Sequence, residues 1–371
     1  MTQPFQELRQ CGQSVWLDFI TRQFMSDGKL AALIAQDGIS GVTSNPTIFQ
    51  KAITGGKEYD DAISRLVREG KNSAQIFDAL AIEDIQRACD QFRSVYGSTK
   101  GADGFVSLEV NPHLARDTQQ TLSEARRLFR AVNRPNVMIK IPGTREGLPA
   151  IEQALGEGIN INITLIFALQ RYQEVMEAWL NGLERLSKSG KPLSSVASVA
   201  SFFVSRVDTL IDGLLEKQKP VGYEALLGKA AIANARVAYA MFLKTKASSR
   251  FRALAVKGAR IQRPLWASTS TKNPKYRDVV YVEELIGAET VNTLPLATVD
   301  AARDHAKVRA ALPGDVKAAE RVMADLSKAG ISMDQVTRQL EEDGLKLFSA
   351  SYDDLMKSLE VKREALKVSS R

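Results

Sequence analysis

The sequence predicts an α/β protein of the (β/α)8 TIM-barrel class, with additional helices at both ends of the chain. Two observations lead there. Eight short apolar runs recur along the chain, three of them stopped at once by Asn or Pro, with helical stretches between them. Strands that alternate with helices form parallel β/α units, and eight such units close on themselves. The 371 residues contain no internal repeat or low-complexity run. That length fits one barrel over about 14–300 followed by a helical extension over about 301–371.

Residues 1–13 read as a short amphipathic helix. The first strand covers 14–20 and carries one acid, Asp18, in an apolar setting. A helical stretch around Leu30 to Ala35 leads to residues 38–49, which open as the second strand. Asn45-Pro46 breaks that strand, because the residue before proline is pushed out of the helical region, and Thr47 to Phe49 start the next element. Residues 56–96 carry two helical stripes. Tyr59, Ile63, Leu66 and Val67 form the first; Ile76, Leu80, Ile85, Cys89 and Phe92 form the second, opened by an Asn72-Ser73 cap. Residues 97–104 read as a loop, 105–110 as the third strand, and 118–132 as a helix.

The fourth strand, 137–141, is apolar except for Lys140 and is ended by Pro142-Gly143. After a helix at 147–155 comes the fifth strand, 159–166, in which Asn160, Asn162 and Thr164 alternate with apolar residues and share a face. A helix at 168–187 buries Tyr172, Val175, Met176, Trp179 and Leu183, and the sixth strand follows at 195–203. Residues 205–217 and 223–247 are helical, and 250–262 form a basic loop, read as a solvated connection or as part of an anion-binding mouth. The seventh and eighth strands are 263–269 and 290–296. In the last helix Phe348, Tyr352, Leu355, Leu359 and Leu366 make one stripe. That helix either covers the barrel or pairs two subunits in a homodimer.

Composition narrows the function. No apolar run approaches the length of a membrane span, and residues 1–7 lack the basic start and apolar core of a signal peptide. Two cysteines, Cys11 and Cys89, stand in no metal spacing and read as reduced thiols of a cytoplasmic protein. The net charge of +7 is spread among acids with no basic, aromatic-lined stripe, which points away from nucleic acid and towards a positive mouth for phosphorylated metabolites. Two histidines, His113 and His305, are too few for a His-rich metal site or most His-dependent triads. No metal or cofactor is expected.

Lys140 is the first candidate for chemistry. If both faces of its strand are covered, burial disfavours the ammonium form, and a neutral amine is the group that attacks a ketone to form a Schiff base. A lysine snorkelling from a strand end or binding phosphate accounts for the same pattern. Other polar residues gather where a barrel of this kind holds its active site, at the carboxyl ends of the strands. They are Asp18, Asn45, Glu109, Asn162, Thr164, Ser201, Arg206, and the stretch Ser268 to Lys272. Each alone has a structural explanation: Asn45 in a turn, Glu109 as an ion-pair partner of Lys140, Asn162 bonded across strands, Thr164 as a strand former, Arg206 at a helix end. Together they place too many polar groups inside one barrel to serve packing alone.

At these residues the chain resembles the transaldolases, Schiff-base enzymes of the class I aldolase superfamily. The matching stretches are Trp16-Leu17-Asp18, Thr43-Ser44-Asn45-Pro46-Thr47-Ile48-Phe49, Ser107-Leu108-Glu109-Val110, Met138-Ile139-Lys140-Ile141-Pro142-Gly143-Thr144, residues 158–167, and Ser201-Phe202-Phe203-Val204-Ser205-Arg206. The length and C-terminal extension resemble the longer bacterial branch. The resemblance implies transfer of a dihydroxyacetone unit between sugar phosphates in the pentose phosphate pathway. It implies Lys140 as nucleophile, Asp18 as acid/base at the C4 hydroxyl, and Glu109 with Thr164 around a proton-shuttling water. Asn45, Asn162 and Ser201 would bind the three-carbon unit and Arg206 the phosphate. Shorter relatives carry a second arginine after the seventh strand; here Lys272 is the replacement, with Ser268 and Ser270 as donors. Fructose 6-phosphate aldolases place a tyrosine where this chain has Phe203, which favours transfer over release. A simple aldolase and a catalytically silent sugar-phosphate-binding barrel are the alternatives.

Overall fold

The computed structural model describes residues 3–369. Its strands are β1 (Gln13–Leu17), β2 (Gly41–Val42), β3 (Phe105–Glu109), β4 (Val137–Pro142), β5 (Ile161–Ile166), β6 (Ser198–Phe203), β7 (Arg263–Ala267) and β8 (Thr290–Leu294). They form a closed parallel barrel in sequence order, sealed by β1 against β8 from Gln13↔Thr290 to Leu17↔Leu294. Helices cover the outside, so the strands are buried on both faces. This is why β4 and β6 read as continuous buried runs instead of clean alternations. Trp16, Phe202 and Trp266 are fully buried aromatic packing units of the core. Gly41 makes room for one of them: a Cβ there would stand 2.6 Å from the Trp16 ring.

The expected elements lie where the periodicity put them, with local differences that have physical causes. β2 is only two residues long because Asn45 already caps the helix Pro46–Thr54, accepting from the Ile48 N–H at 2.9 Å. β1 stops at Leu17, so Asp18 stands just past the strand, its N–H donating to Leu294 O. The helical stretch near Leu30 is Lys29–Ala32 running into a π turn, Leu33–Asp37. Asn72 caps Ser73–Gln91 with a full capping box through Gln75. The loop expected at 97–104 is shortened by the helix Arg93–Ser98. The helix expected over 223–247 begins only at Ala230, after a 3-10 turn and Gly228 at φ +67°.

Residues 250–262 do not belong to the mouth. They begin with the helix Ser249–Ala255 and continue at the opposite end of the barrel, where Arg260 donates to Lys100 O. The C-terminal helix Met333–Ser369 is a cover. It packs against the helices Pro46–Thr54, Asp60–Arg68 and Ser73–Gln91 and reaches β5. Phe348, Leu355 and Leu359 are buried beneath it. Thr47 Oγ1 and Ser351 Oγ lie 2.8 Å apart, and Lys362 pairs with Asp60 at 2.7 Å. Among the described residues no helix is long and apolar enough to cross a membrane.

Candidate active site

A cavity of about 290 Å3 opens at the carboxyl ends of the strands. Its wall contains Asp18, Asn45, Lys140, Thr164, Ser201, Arg206, Ser268 and Lys272, eight of the ten candidates from sequence. The other two lie outside the lining. Glu109 stands beside Lys140 with its side chain 3% exposed. Asn162 is fully buried, donating from Nδ2 to Ser107 Oγ at 3.0 Å and accepting from Ser201 Oγ at 2.7 Å. Asn162 therefore meets the cavity through Ser201, which lines it.

Strand register fixes the centre. Lys140 is opposite Glu109 on one side and Asn162 on the other. Lys140 is 4% exposed, and its Nζ donates to Ser44 O at 3.2 Å. The same Nζ lies 3.1 Å from Glu109 Oε2. A buried ammonium needs such partners, because desolvation alone would oppose it. The ion-pair reading of Glu109 is thus met: it pairs with Lys140 inside the barrel. Burial pushes the Glu109 carboxyl above its usual range, while the Lys140 charge pulls it back. Among the described residues, Glu109 Oε1 and Thr164 Oγ1 are buried without a hydrogen-bond partner. Such orphans are rare in interiors and mark a place for water or ligand.

Asp18 lines the same cavity as Lys140 and feels its charge. Thr43 Oγ1 donates to Asp18 Oδ1 at 2.6 Å, and Thr293 Oγ1 lies 2.7 Å from Thr43 Oγ1. Burial raises the Asp18 carboxyl. Lys140, then the Thr43 hydroxyl, then Arg206 and Lys272 oppose the rise. A carboxylate held this way is a stronger base than one in water.

The outer wall is cationic. Arg206 and Lys272 line it together with Lys51. Burial lowers the Lys272 ammonium, and repulsion from Arg206 adds to this. Arg206 lies 5.3 Å from the Phe203 ring centre, and its guanidinium is lowered by burial. Lys272 donates to Ser270 Oγ at 2.6 Å, and the hydroxyls of Ser268 and Ser205 lie 3.0 Å apart. Three cations around one mouth fit a dianionic group.

Sequence reasoning missed Lys51, Thr43, Ser107 and Phe348. Thr47 and Lys51 are one helical turn apart after the Asn45 cap and both face the cavity, so their i,i+4 spacing was a usable signal. Phe348 carried none, since it sits in an ordinary apolar stripe of a distant helix.

The family model for Transaldolase/Fructose-6-phosphate aldolase matches residues 15–359. A protein named Transaldolase from Trichodesmium erythraeum is 46% identical over 370 residues, covering 97% of each chain. One of the same name from Thermobifida fusca is 49% identical over 357 residues, covering 96% of this chain and 97% of its own. Transaldolase 2 of a Nostoc species is 45% identical over 371 residues, with 97% of each covered. With matches over nearly its whole length, and with the barrel already in view, the chain belongs to the transaldolase/fructose-6-phosphate aldolase family.

Proposed function

We propose that this protein is a transaldolase. It moves a dihydroxyacetone unit from sedoheptulose 7-phosphate to glyceraldehyde 3-phosphate, giving erythrose 4-phosphate and fructose 6-phosphate, in the cytoplasmic, non-oxidative pentose phosphate pathway. The observation that carries this reading is the convergence of Lys140, Glu109, Thr164 and Asp18 beside a wall of three cations.

The geometry supports the following course. Lys140 Nζ attacks the C2 ketone of the donor, and Glu109 takes the proton that Nζ loses. The Glu109 Oε1 and Thr164 Oγ1 positions suit one water that relays protons while the carbinolamine dehydrates to a protonated imine. Asp18 takes the proton of the C4 hydroxyl. The C3–C4 bond breaks, its electrons pass into the imine, and the product aldehyde leaves an enamine on Lys140. The acceptor aldehyde is attacked by C3, Asp18 returns its proton, and water hydrolyses the new imine. Asn45 Oδ1 is committed to the Ile48 N–H, which leaves Nδ2 to donate to a substrate hydroxyl. Arg206, Lys272 and Lys51 hold the phosphate, with lysine giving a less directional contact than a second arginine fork.

The test uses purified protein with fructose 6-phosphate, with and without erythrose 4-phosphate, and follows glyceraldehyde 3-phosphate. Acceptor-dependent release is expected, with ping-pong kinetics. Borohydride should trap the three-carbon unit on Lys140, and Lys140→Ala should lose both trapping and turnover. Release that ignores the acceptor would move the protein to the aldolase reading, which Phe203 disfavours because its wall position carries no phenol. Normal turnover by Lys140→Ala would sink both readings.

A further inference from the structure

We infer that Phe348 seals the mouth side of Lys140 against water, so that the bound three-carbon unit passes to an aldehyde instead of being released. This rests on the transaldolase reading and adds a residue from the C-terminal helix that determines the fate of the unit.

The Phe348 ring centre lies 5.7 Å from Lys140 Nζ, and the residue is 3% exposed while lining the cavity. The helix can come that close because of Gly344, one turn earlier on the same face. A Cβ there would stand 2.8 Å from Leu165 Cδ2 and 3.6 Å from Arg206 Nη1. Ser351, on the next turn, is held to Thr47 at 2.8 Å. One helix face, Gly344, Phe348 and Ser351, is thus keyed to the barrel mouth with the aromatic ring over the nucleophile. Burial of an apolar helix residue in the fold explains an aromatic stripe. It does not by itself explain a ring placed above the reacting nitrogen among so many polar groups.

The ring's position matters at one step. After cleavage the unit is an enamine on Nζ, and Asp18 holds the proton taken from the C4 hydroxyl. With an acceptor present, C3 bonds to the aldehyde carbon and Asp18 protonates the new oxygen. Without one, release requires Asp18 to protonate C3. Water oxygen then bonds to the iminium carbon. The C–N bond breaks with its electron pair going to Nζ, and water's two protons end on Nζ, one relayed by Glu109. Hydrolysis after transfer also needs water, but there the substrate phosphate fills the mouth; the release route runs with the mouth empty and open to bulk water. Excluding water from a closed site suppresses such side reactions. A second cavity of about 440 Å3 reaches Glu109 from the flank of the barrel, between the helices Pro46–Thr54, Ser73–Gln91 and Thr118–Val132, but Lys140 is not part of its wall. Water from that side meets Glu109 first, which leaves the mouth side to Phe348.

The full-length protein and its Phe348→Ala, Phe348→Leu and Gly344→Ala variants are compared for two rates: dihydroxyacetone release from fructose 6-phosphate alone, and transfer to erythrose 4-phosphate. A purely structural role lowers both rates together. The inference requires their ratio to move, release over transfer rising about tenfold in Phe348→Ala. Gly344→Ala, which crowds Leu165 beside the ring, and Phe348→Leu should raise it less. If Phe348→Ala does not fold, the other two variants decide. An unchanged ratio in the folded variants, with wild-type transfer intact, overturns the inference and leaves the transaldolase reading standing. Wild-type protein that neither transfers nor is trapped on Lys140 removes the reading itself.

Discussion

The two ends of β5 carry the same kind of residue and use it oppositely. At the bottom of the barrel, Asn160 donates from Nδ2 to Pro135 O and Val137 O, each at 3.0 Å, and accepts from the Ala197 N–H at 2.9 Å. Four residues later, at the mouth, the Thr164 hydroxyl is buried and has no such partner. Asn162, between them, is bonded to the side chains Ser107 and Ser201. The carboxylates repeat the contrast. Asp103 at the bottom accepts from Trp16 Nε1 at 2.7 Å and from Ser14, with Arg263 at 3.6 Å, whereas Glu109 at the mouth keeps an oxygen unpaired. Asn160 and Asp103 at the bottom are consumed by the fold, whereas Glu109 and Thr164 at the mouth each keep a buried oxygen unpaired.

That contrast breaks most sharply in a pair of substitutions. Asn160→Ala leaves two carbonyls and an N–H unpaired in the interior, and should cost about 2–4 kcal/mol of stability while turnover per folded molecule stays near wild type. Thr164→Val keeps the shape and removes a hydroxyl that the fold does not use. Stability should stay within about 1 kcal/mol and turnover should fall about 10–100-fold. Urea unfolding and kcat of both variants check this. A destabilised Thr164→Val with normal kcat would show that its hydroxyl serves the fold after all.

Why the barrel was legible, and part of the site was not, follows from the same residues. Strands buried on both faces make apolar runs that periodicity detects, and Asn160, Asn162 and Thr164 announced themselves as polar interruptions of one such run. Lys140 stood out for the same reason. The environment that decides their roles is not local. Glu109 meets Lys140 through strand register, Thr43 meets Asp18 from a neighbouring strand end, and Phe348 arrives on a helix far along the chain. Nothing in an amphipathic stripe marks which ring will lie over a nucleophile. The basic run 250–262 left two readings open for the converse reason: charge is visible in sequence, but the end of the barrel it reaches is not.

The site acid offers a finer test. Burial raises the Asp18 carboxyl, so the acid limb of the carbon–carbon cleavage rate should have its midpoint above the ordinary value of 3.8. Activity is lost as pH falls through that midpoint, because protonated Asp18 cannot take the C4 proton. The Thr43 hydroxyl opposes the rise. Thr43→Val should therefore move the limb to higher pH. A pH profile of single-turnover cleavage measures both. A limb that stays fixed in Thr43→Val would assign it to another group.

Asp208 is the structural counterpart of Asp18 and should give the smallest effect on activity. It lies on the helix Ser205–Gln218, accepting from Tyr281 Oη at 2.6 Å and the Ala231 N–H at 2.7 Å, and burial lifts it to about 6. Asp84, which accepts from Tyr59 and pairs with Arg22, is lifted to about 6 as well. A carboxyl raised in the folded state binds its proton more tightly there than in the unfolded chain. Between pH 4 and 6 the folded protein then holds more protons, and stability falls as pH rises; below and above that window the contribution is flat. Asp208→Asn cannot ionise, so its share of the change across that window, about 3 kcal/mol at about 1.4 kcal/mol per pH unit, should vanish while the share of Asp84 persists. Urea unfolding at intervals from pH 4 to 7 should show the slope reduced but not abolished, with the Asp18-dependent activity limb unmoved. A slope equal to wild type would mean that Asp208 ionises as easily in the fold as in water, and that its contacts with Tyr281 and Ala231 fully offset its burial.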